Sequence, residues 1–214
     1  MKKIIWLIAS ILMTISAFPQ KVGILEYNGG GDWYANPTSV PNLIKYSNEH
    51  AGTAIDEQPE YVRPGSSELF KYPIVFVTGH GNILFDDDEA ENIRKYLTAG
   101  GFIHISDNYG IDPYVRKAFE KVFPGQEFRE VPYDHPIYHA KYDFDNGLPK
   151  IHEHDGKPPR GYGLFYEGRL VVFYDYECDL SDGWENPQVH HDPPEIREKA
   201  LQMGVNIIRY AFTE

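Results

Sequence analysis

The segment from Tyr72 to Gly110 constrains the fold more than any other part of this chain. It holds an apolar run, Pro73-Ile74-Val75-Phe76-Val77, a break at Thr78-Gly79-His80-Gly81-Asn82, and a helical pattern from Asp86 to Ala99. A Gly100-Gly101 stop and a second apolar run, Phe102-Ile103-His104-Ile105-Ser106, follow and end in Asp107-Asn108-Tyr109-Gly110. Two continuous β-branched and aromatic runs around one helix define a βαβ unit whose parallel strands are buried on both faces. Open sheets of that kind place ligands beyond the carboxyl ends of their strands. Both strand ends here carry glycine together with His, Asn, Asp or Tyr.

The helix within this unit is specified residue by residue. Asp86 serves as N-cap and Glu89, three positions on, completes a capping box. Asp87 and Asp88 fall in the first turn, where the helix dipole favours negative charge, so capping accounts for the whole acidic run without a metal. Ala90, Ile93 and Leu97 make one apolar stripe, and Gly100 supplies the left-handed residue that ends the helix.

Other elements follow from the same rules. Val22 to Tyr27 reads as a first strand, followed at once by Asn28-Gly29-Gly30-Gly31-Asp32-Trp33, where glycines let backbone approach a ligand. The spacing is not the dinucleotide fingerprint. A helix is expected from about Ser39 to Glu49, a strand within Gln58 to Arg63, and one helical turn from Ser66 to Phe70. Asp112-Pro113 opens a helix with Val115, Phe119 and Val122 inward. Phe128 to Val131 is a short strand, and Pro132 to Gly161 an extended functional loop. Gly163–Tyr166 and Arg169–Tyr174 form an antiparallel hairpin turning at Glu167-Gly168, and its second strand runs on into Asp175-Tyr176-Glu177-Cys178-Asp179. Asp192-Pro193-Pro194-Glu195 caps a last helix.

At the amino terminus Lys2 and Lys3 precede an uncharged apolar stretch, Ile4 to Ile15, and then Ser16-Ala17. This is the pattern of a secretory signal peptide over residues 1–17, leaving a single α/β domain over 18–214. No later stretch approaches the roughly 20 apolar residues of a membrane span. With Lys2 and Lys3 removed, 18 basic side chains face 32 acidic ones, a net charge of −14. So acidic a chain repels nucleic acid and anionic membrane surfaces. Cys178 is the only cysteine, so no internal disulfide can form.

Parallel strands bring their carboxyl ends to one edge, so three loops distant in sequence are expected to meet there. The expected ligand-binding residues are Gly30, Gly31, Asp32, Trp33, Gly79, His80, Gly81, Asn82, Asp107, Asn108 and Tyr109. Asp32, Trp33, His80, Asn82, Asp107, Asn108 and Tyr109 are expected to line one pocket, with Asp134–Asp155 as its lid or wall. Neither His80 nor Asp107 is expected to fill the core. Turn chemistry alone explains Asn, Asp and Gly here, but not His80 or Trp33. His80, Asp107 and Glu177 are the catalytic candidates, since paired carboxylates suit acid/base work. His152 and His154 share a face if extended, beside Asp155, and form the candidate metal set. A scaffold role is preferred for them, and no metal or other cofactor is expected. H-E-x-x-H fails because Gly156 stands where its second histidine should be. His104 is read as a core histidine, and His190 and His191 as surface residues.

The phrases Gly29-Gly30-Gly31-Asp32-Trp33-Tyr34, Thr78-Gly79-His80-Gly81-Asn82, Ser106-Asp107-Asn108-Tyr109-Gly110, Asp134-His135-Pro136-Ile137 and Gly147 to Gly156 resemble a bacterial family known as domain of unknown function family 4159. The likeness runs from about Lys21 to Ala211. That family is similar to the class I glutamine amidotransferase-like superfamily, including trehalose-utilisation-like proteins. The resemblance implies a flavodoxin-like three-layer sandwich with a mostly parallel sheet, here with an added antiparallel hairpin. Some relatives are fused to membrane-anchored domains or encoded near AAA-type ATPases, which implies envelope complexes. The resemblance brings no activity with it. True amidotransferases carry a nucleophilic cysteine after a strand, where this chain has Ser106-Asp107-Asn108, so a cysteine-dependent glutaminase is not expected. No helix N-terminus is expected beside Cys178 to activate it.

Three functions stay open. The first is a secreted or periplasmic domain binding a small polar ligand, such as a carbohydrate, at the strand ends. The second is a hydrolase or isomerase using His80, Asp107 and Glu177, with or without metal assistance. The third is an interaction module of an envelope protein complex, with a vestigial pocket. The signal pattern itself is directly testable: mass spectrometry of exported protein is expected to give an N-terminus between Phe18 and Lys21, and an intact Met1 on exported protein would refute it.

Overall fold

Continuous apolar runs need cover on both faces, and the sheet supplies it. The computed structural model describes residues 19–213, so the segment expected to be a signal peptide lies outside the described residues. The strands are β1 Gly23–Leu25, β2 Glu60–Val62, β3 Ile74–Val77, β4 Phe102–Ile105, β5 Arg129–Glu130, β6 Arg160–Tyr166 and β7 Arg169–Tyr176. They form one seven-stranded mixed sheet in the order β2-β1-β3-β4-β7-β6-β5. The first five strands in that order pair parallel, and β6 and β5 add antiparallel at one edge. At the centre β3 and β4 run in register from Ile74 opposite Phe102 to Val77 opposite Ile105.

The helices are α1 Ser39–Ala51, α2 Asp87–Thr98, α3 Asp112–Val122, α4 Leu180–Trp184, α5 Pro187–His190 and α6 Pro194–Thr213. Side chains alternate along each strand, so every strand feeds two cores. Val75, Val77, Ile103 and Ile105 pack with Ile93 and Leu97 of α2 and Val115 and Phe119 of α3. Ile74, Phe76 and Phe102 pack with Leu43 and Ile44 of α1 and Met203, Ile207 and Ile208 of α6. Each such buried side chain contributes about 1.5–3 kcal/mol.

Local signals explain the boundaries. The Asp86 carboxylate accepts from the Glu89 amide at 2.8 Å and the Glu89 carboxylate from the Asp86 amide at 3.0 Å. The hairpin turn has positive φ at both Glu167 (49°) and Gly168 (85°), as a tight two-residue turn demands. Helices α4 and α5, by contrast, were not legible. They are short, and α4 is held by packing, with Trp184 buried and its indole N–H donating to the Ala200 carbonyl at 2.8 Å. The long 132–159 segment contains a single 3-10 turn, Pro136–Tyr138. It is tied to α6 by the buried Asn206, which accepts from the amides of Lys141 and Tyr142, each at 2.9 Å, and donates to the Tyr142 carbonyl at 2.7 Å.

His104 is a buried core histidine as expected, but its partner is another titratable group. Its Nε2 lies 3.2 Å from the Asp175 carboxyl, in the interior beneath the strand ends. Burial pushes His104 down to about 3 and Asp175 well above the usual carboxylate range. The pair is therefore neutral, with its one exchangeable proton on Asp175.

This neutrality sets a pH dependence. Between 3.8 and 6.5, the values of the free carboxyl and imidazole, folded and unfolded pairs each hold one proton and stability is flat. Above 6.5 the unfolded pair loses its proton while Asp175 keeps it, so stability falls as pH rises, by up to about 1.4 kcal/mol per pH unit. Below 3.8 the unfolded pair binds two protons and stability falls again. Urea unfolding of Asp175→Asn between pH 6.5 and 8 is expected to lose this alkaline slope, and a slope equal to that of the parent chain would refute the neutral pair.

Candidate functional site

The loops after β1, β3 and β4 meet at the carboxyl edge of the sheet, joined by hydrogen bonds. The Gly31 amide donates to the Asn82 carbonyl at 3.1 Å, and the Gly79 amide to Asn108 Oδ1 at 2.8 Å. Asp32 accepts from the His80 amide and stands 3.0 Å from His80 Nδ1. The glycines at these contacts serve loop packing: a Cβ on Gly79 would lie 2.7 Å from the Asp32 carbonyl, and one on Gly31 2.9 Å from that of His80. Gly30 and Gly81 instead face open space.

The expected pocket is divided. His80 is exposed on the rim with Asp32, and no contact among the described residues links it to Asp107 or Glu177. Tyr109 is also exposed, its hydroxyl donating to Asp155 at 3.2 Å. Of the seven residues expected to line one pocket, only Trp33 borders the crevice found beside these loops. That crevice lies between β1 and β3, where the chain reverses its direction of travel across the sheet, and its walls include Trp33, Tyr34, Tyr61, Thr78, Ser106 and Ser181. Its volume is about 10 Å³, room for roughly one water. The covering loop is fastened by Asn36, which holds φ 55° and donates through its amide to Ser181 Oγ at 2.7 Å and to Asp182 Oδ1. Glu185 secures the far end of the loop, accepting from the Thr38 amide at 2.8 Å at the start of α1.

Beside the crevice the ends of β4 and β7 carry a buried acidic cluster. Asp107, Asp175, Glu177, Asp179 and Asp182 are each under 9% exposed. Asp107 accepts from the Tyr174 hydroxyl at 2.8 Å and from the main-chain amide of Glu177. Asn108 ties the cluster to the β3 loop, donating to Asp179 at 3.2 Å and Asp182 at 3.1 Å. Glu177 and Asp179 hold positive φ, 56° and 64°, a strain such sites concentrate.

The cations come from the 132–159 segment. Lys150 Nζ is 3.1 Å from Glu177. His154 Nε2 is 2.6 Å from Asp179 and its Nδ1 3.6 Å from Asp107. Burial opposes charge on His154, but Asp107 and Asp179 outweigh it and hold the ring up at about 10. Hydrogen bonds that Asp179 and Asp182 accept from its ring likewise raise His152 to about 10. Burial works against the anionic form of Asp179, but these two rings hold its carboxyl below the usual range. The expected lid thus covers the ends of β4 and β7, not the crevice beneath Trp33.

The candidate metal set of His152, His154 and Asp155 does not assemble. His154 turns to Asp107 and Asp179, while Asp155 pairs with Lys157 at 3.3 Å and with Tyr109. The donors that converge among the described residues are His152, Asp182 and His190. His190 is therefore not a plain surface residue. Asp175, Asp179 and Asp182 were missed as site residues, although the alternating acids of Asp175-Tyr176-Glu177-Cys178-Asp179 directly after a buried strand were a readable signal. Cys178, against expectation, immediately precedes a helix, the five-residue α4. Burial and the neighbouring carboxylates still push its thiol well up, and Sγ donates to the Pro149 carbonyl at 2.7 Å.

The model of the family described as domain of unknown function (DUF4159) matches residues 21–212, and the chain belongs to that family. No curated protein matches the sequence. No helix among the described residues is long and apolar enough to cross a membrane.

Burial separates two candidates that looked alike in sequence. Asp107→Ala is expected to cost about 3–5 kcal/mol, because it strands His154 and the Tyr174 hydroxyl. His80→Ala, half in solvent beside Asp32, is expected to cost about 0–1 kcal/mol. Denaturant melts of both variants check this, and equal losses would contradict it.

Proposed function

We propose that this chain is an exported binding domain that takes a small polar ligand of carbohydrate type at the carboxyl ends of β1 and β3. One observation carries the reading: an aromatic group stands at the mouth of the crevice where the sheet reverses its winding. Trp33 packs edge-on against Tyr34 and Tyr61 with ring centroids 5.4 and 5.5 Å away, and both tyrosines are more than half exposed. Aromatic faces suit the apolar faces of sugar rings, and the hydroxyls of Thr78, Ser106 and Ser181 offer the few polar groups that fix orientation. A ligand larger than water requires the Trp33–Asn36 loop to lift, exchanging the Asn36 bonds to Ser181 and Asp182 for its own.

Export rests on the Lys2-Lys3 and Ile4–Ile15 pattern. Five parallel strands with helices on both faces and ligand-facing loops after β1 and β3 support a flavodoxin-like arrangement related to the glutamine amidotransferase-like superfamily. The buried, disarmed Cys178 speaks against amidotransferase chemistry.

The test is ligand-observed NMR against a panel of mono- and disaccharides. Saturation transfer from the protein is expected to at least one sugar and to vanish in Trp33→Ala. Tyr61→Ala, at an exposed position, is expected to weaken it while changing stability by no more than about 0.5 kcal/mol. Silence across the panel, or transfer that survives Trp33→Ala, would sink the proposal.

A further inference from the structure

We infer that His152, Asp182 and His190 form a binding site for a divalent transition cation of the zinc type, separate from the crevice beneath Trp33. The three residues come from three parts of the chain: the 132–159 segment, α4 and α5. Their donor atoms nevertheless all lie within 4.8 Å of one another. His152 Nδ1 is 3.1 Å from Asp182 Oδ2, and His190 Nε2 is 3.6 Å from the same oxygen. Two imidazole nitrogens thus lie beside one carboxylate oxygen, at separations that donor atoms around a common ion have.

Two observations favour a cation over a plain ion-pair network. His190 Nε2 is buried and has no hydrogen-bond partner, which is unusual for a polar atom in a cluster this dense. Its ring lies beside the His152 ring, with centroids 5.0 Å apart, and beside Asp182. The second is the far side of His152. Its Nε2 is 3.0 Å from Asp192 Oδ1, and the Asp192 side chain is nine-tenths buried with Oδ2 unpartnered. A carboxylate on the remote nitrogen is the support that metal-binding histidines characteristically receive, because it fixes the ring and raises its basicity.

The donor chemistry narrows the ion. Two imidazoles and one carboxylate suit zinc and its first-row neighbours rather than calcium or magnesium, which prefer all-oxygen shells. Three protein ligands leave a fourth position for water, and the side chains of His152 and His190 are 28% and 27% exposed, so solvent reaches both rings. Asp179 Oδ2, 3.4 Å from His152 Nδ1, lies beside this set and is already engaged by His154.

The test uses purified protein stripped with chelator and then titrated with Zn²⁺ in a calorimeter. About one ion per chain is expected to bind, with a rise in melting temperature that chelator reverses. His190→Ala is expected to weaken binding by more than about 100-fold, and Asp192→Asn, acting through His152, by about 10–100-fold. His191→Ala, one residue on and outside the donor set, is expected to bind as the parent does. Co²⁺ in place of Zn²⁺ is expected to give visible bands of a nitrogen- and oxygen-ligated ion that His190→Ala abolishes. Because His190 is partly exposed on a four-residue helix, the variant is checked by its melting temperature in chelator, expected to match that of the stripped parent. Absence of stoichiometric zinc, or equal affinity in His190→Ala, would overturn the assignment. Both readouts are independent of any sugar, so a failed saccharide screen leaves this site standing.

Discussion

Carboxylates buried at the ends of β4 and β7 cannot stay there unpaired. Removing an ionised carboxylate from water costs several kcal/mol unless hydrogen bonds and opposite charges replace the lost hydration. Five acids occupy that edge, and their partners explain much of the surrounding architecture. Asp175 gives up its charge. Asp107 and Asp179 draw in His154, Glu177 draws in Lys150, and Asp182 draws in His152. Those cations all reside in a segment with almost no regular structure. The long 132–159 stretch is thus ordered by the acids at one end and by Asn206 at the other.

The same requirement explains what could and could not be read from the sequence. The five strands of the parallel core and helix α2 were legible because local chemistry specified them: apolar runs for burial, Asp86 with Glu89 for the cap, Glu167-Gly168 for the turn. Helices α4 and α5 were not, because five and four residues carry too little periodicity and are held by tertiary contacts such as Trp184 against Ala200. The site was half legible. Topology placed the three loops together correctly, yet it could not show that His80 would face solvent with Asp32 while Asp107 turned inward. Nor could spacing reveal that His152 and His154 point to different acids, or that His190, far along the chain, joins His152. Those pairings depend on where an irregular segment docks.

The glycines teach a related lesson. Gly29-Gly30-Gly31 after a strand reads as a place for backbone to approach a ligand. In the folded chain Gly31 and Gly79 lie where a Cβ would meet the neighbouring loop, so close approach is indeed the reason for them, but the object approached is protein. What stands at the crevice mouth is instead the aromatic group of Trp33, Tyr34 and Tyr61.

Asp182 deserves a last consequence because its two oxygens answer to different parts of the molecule. Oδ1 accepts from Asn36, the residue fastening the loop over the crevice, and from Asn108, whereas Oδ2 faces His152 and His190. Each amide donor withdraws some of the anion's charge. Were the loop to lift as proposed and Asn36 to let go, that charge would be free to concentrate on Oδ2 and to hold the proposed cation there more firmly. Linkage makes the influence mutual, so a cation on Oδ2 eases the release of Asn36 by the same factor. Under the two proposals, one carboxylate would make the occupancy of one side of this edge a tuning input for the other.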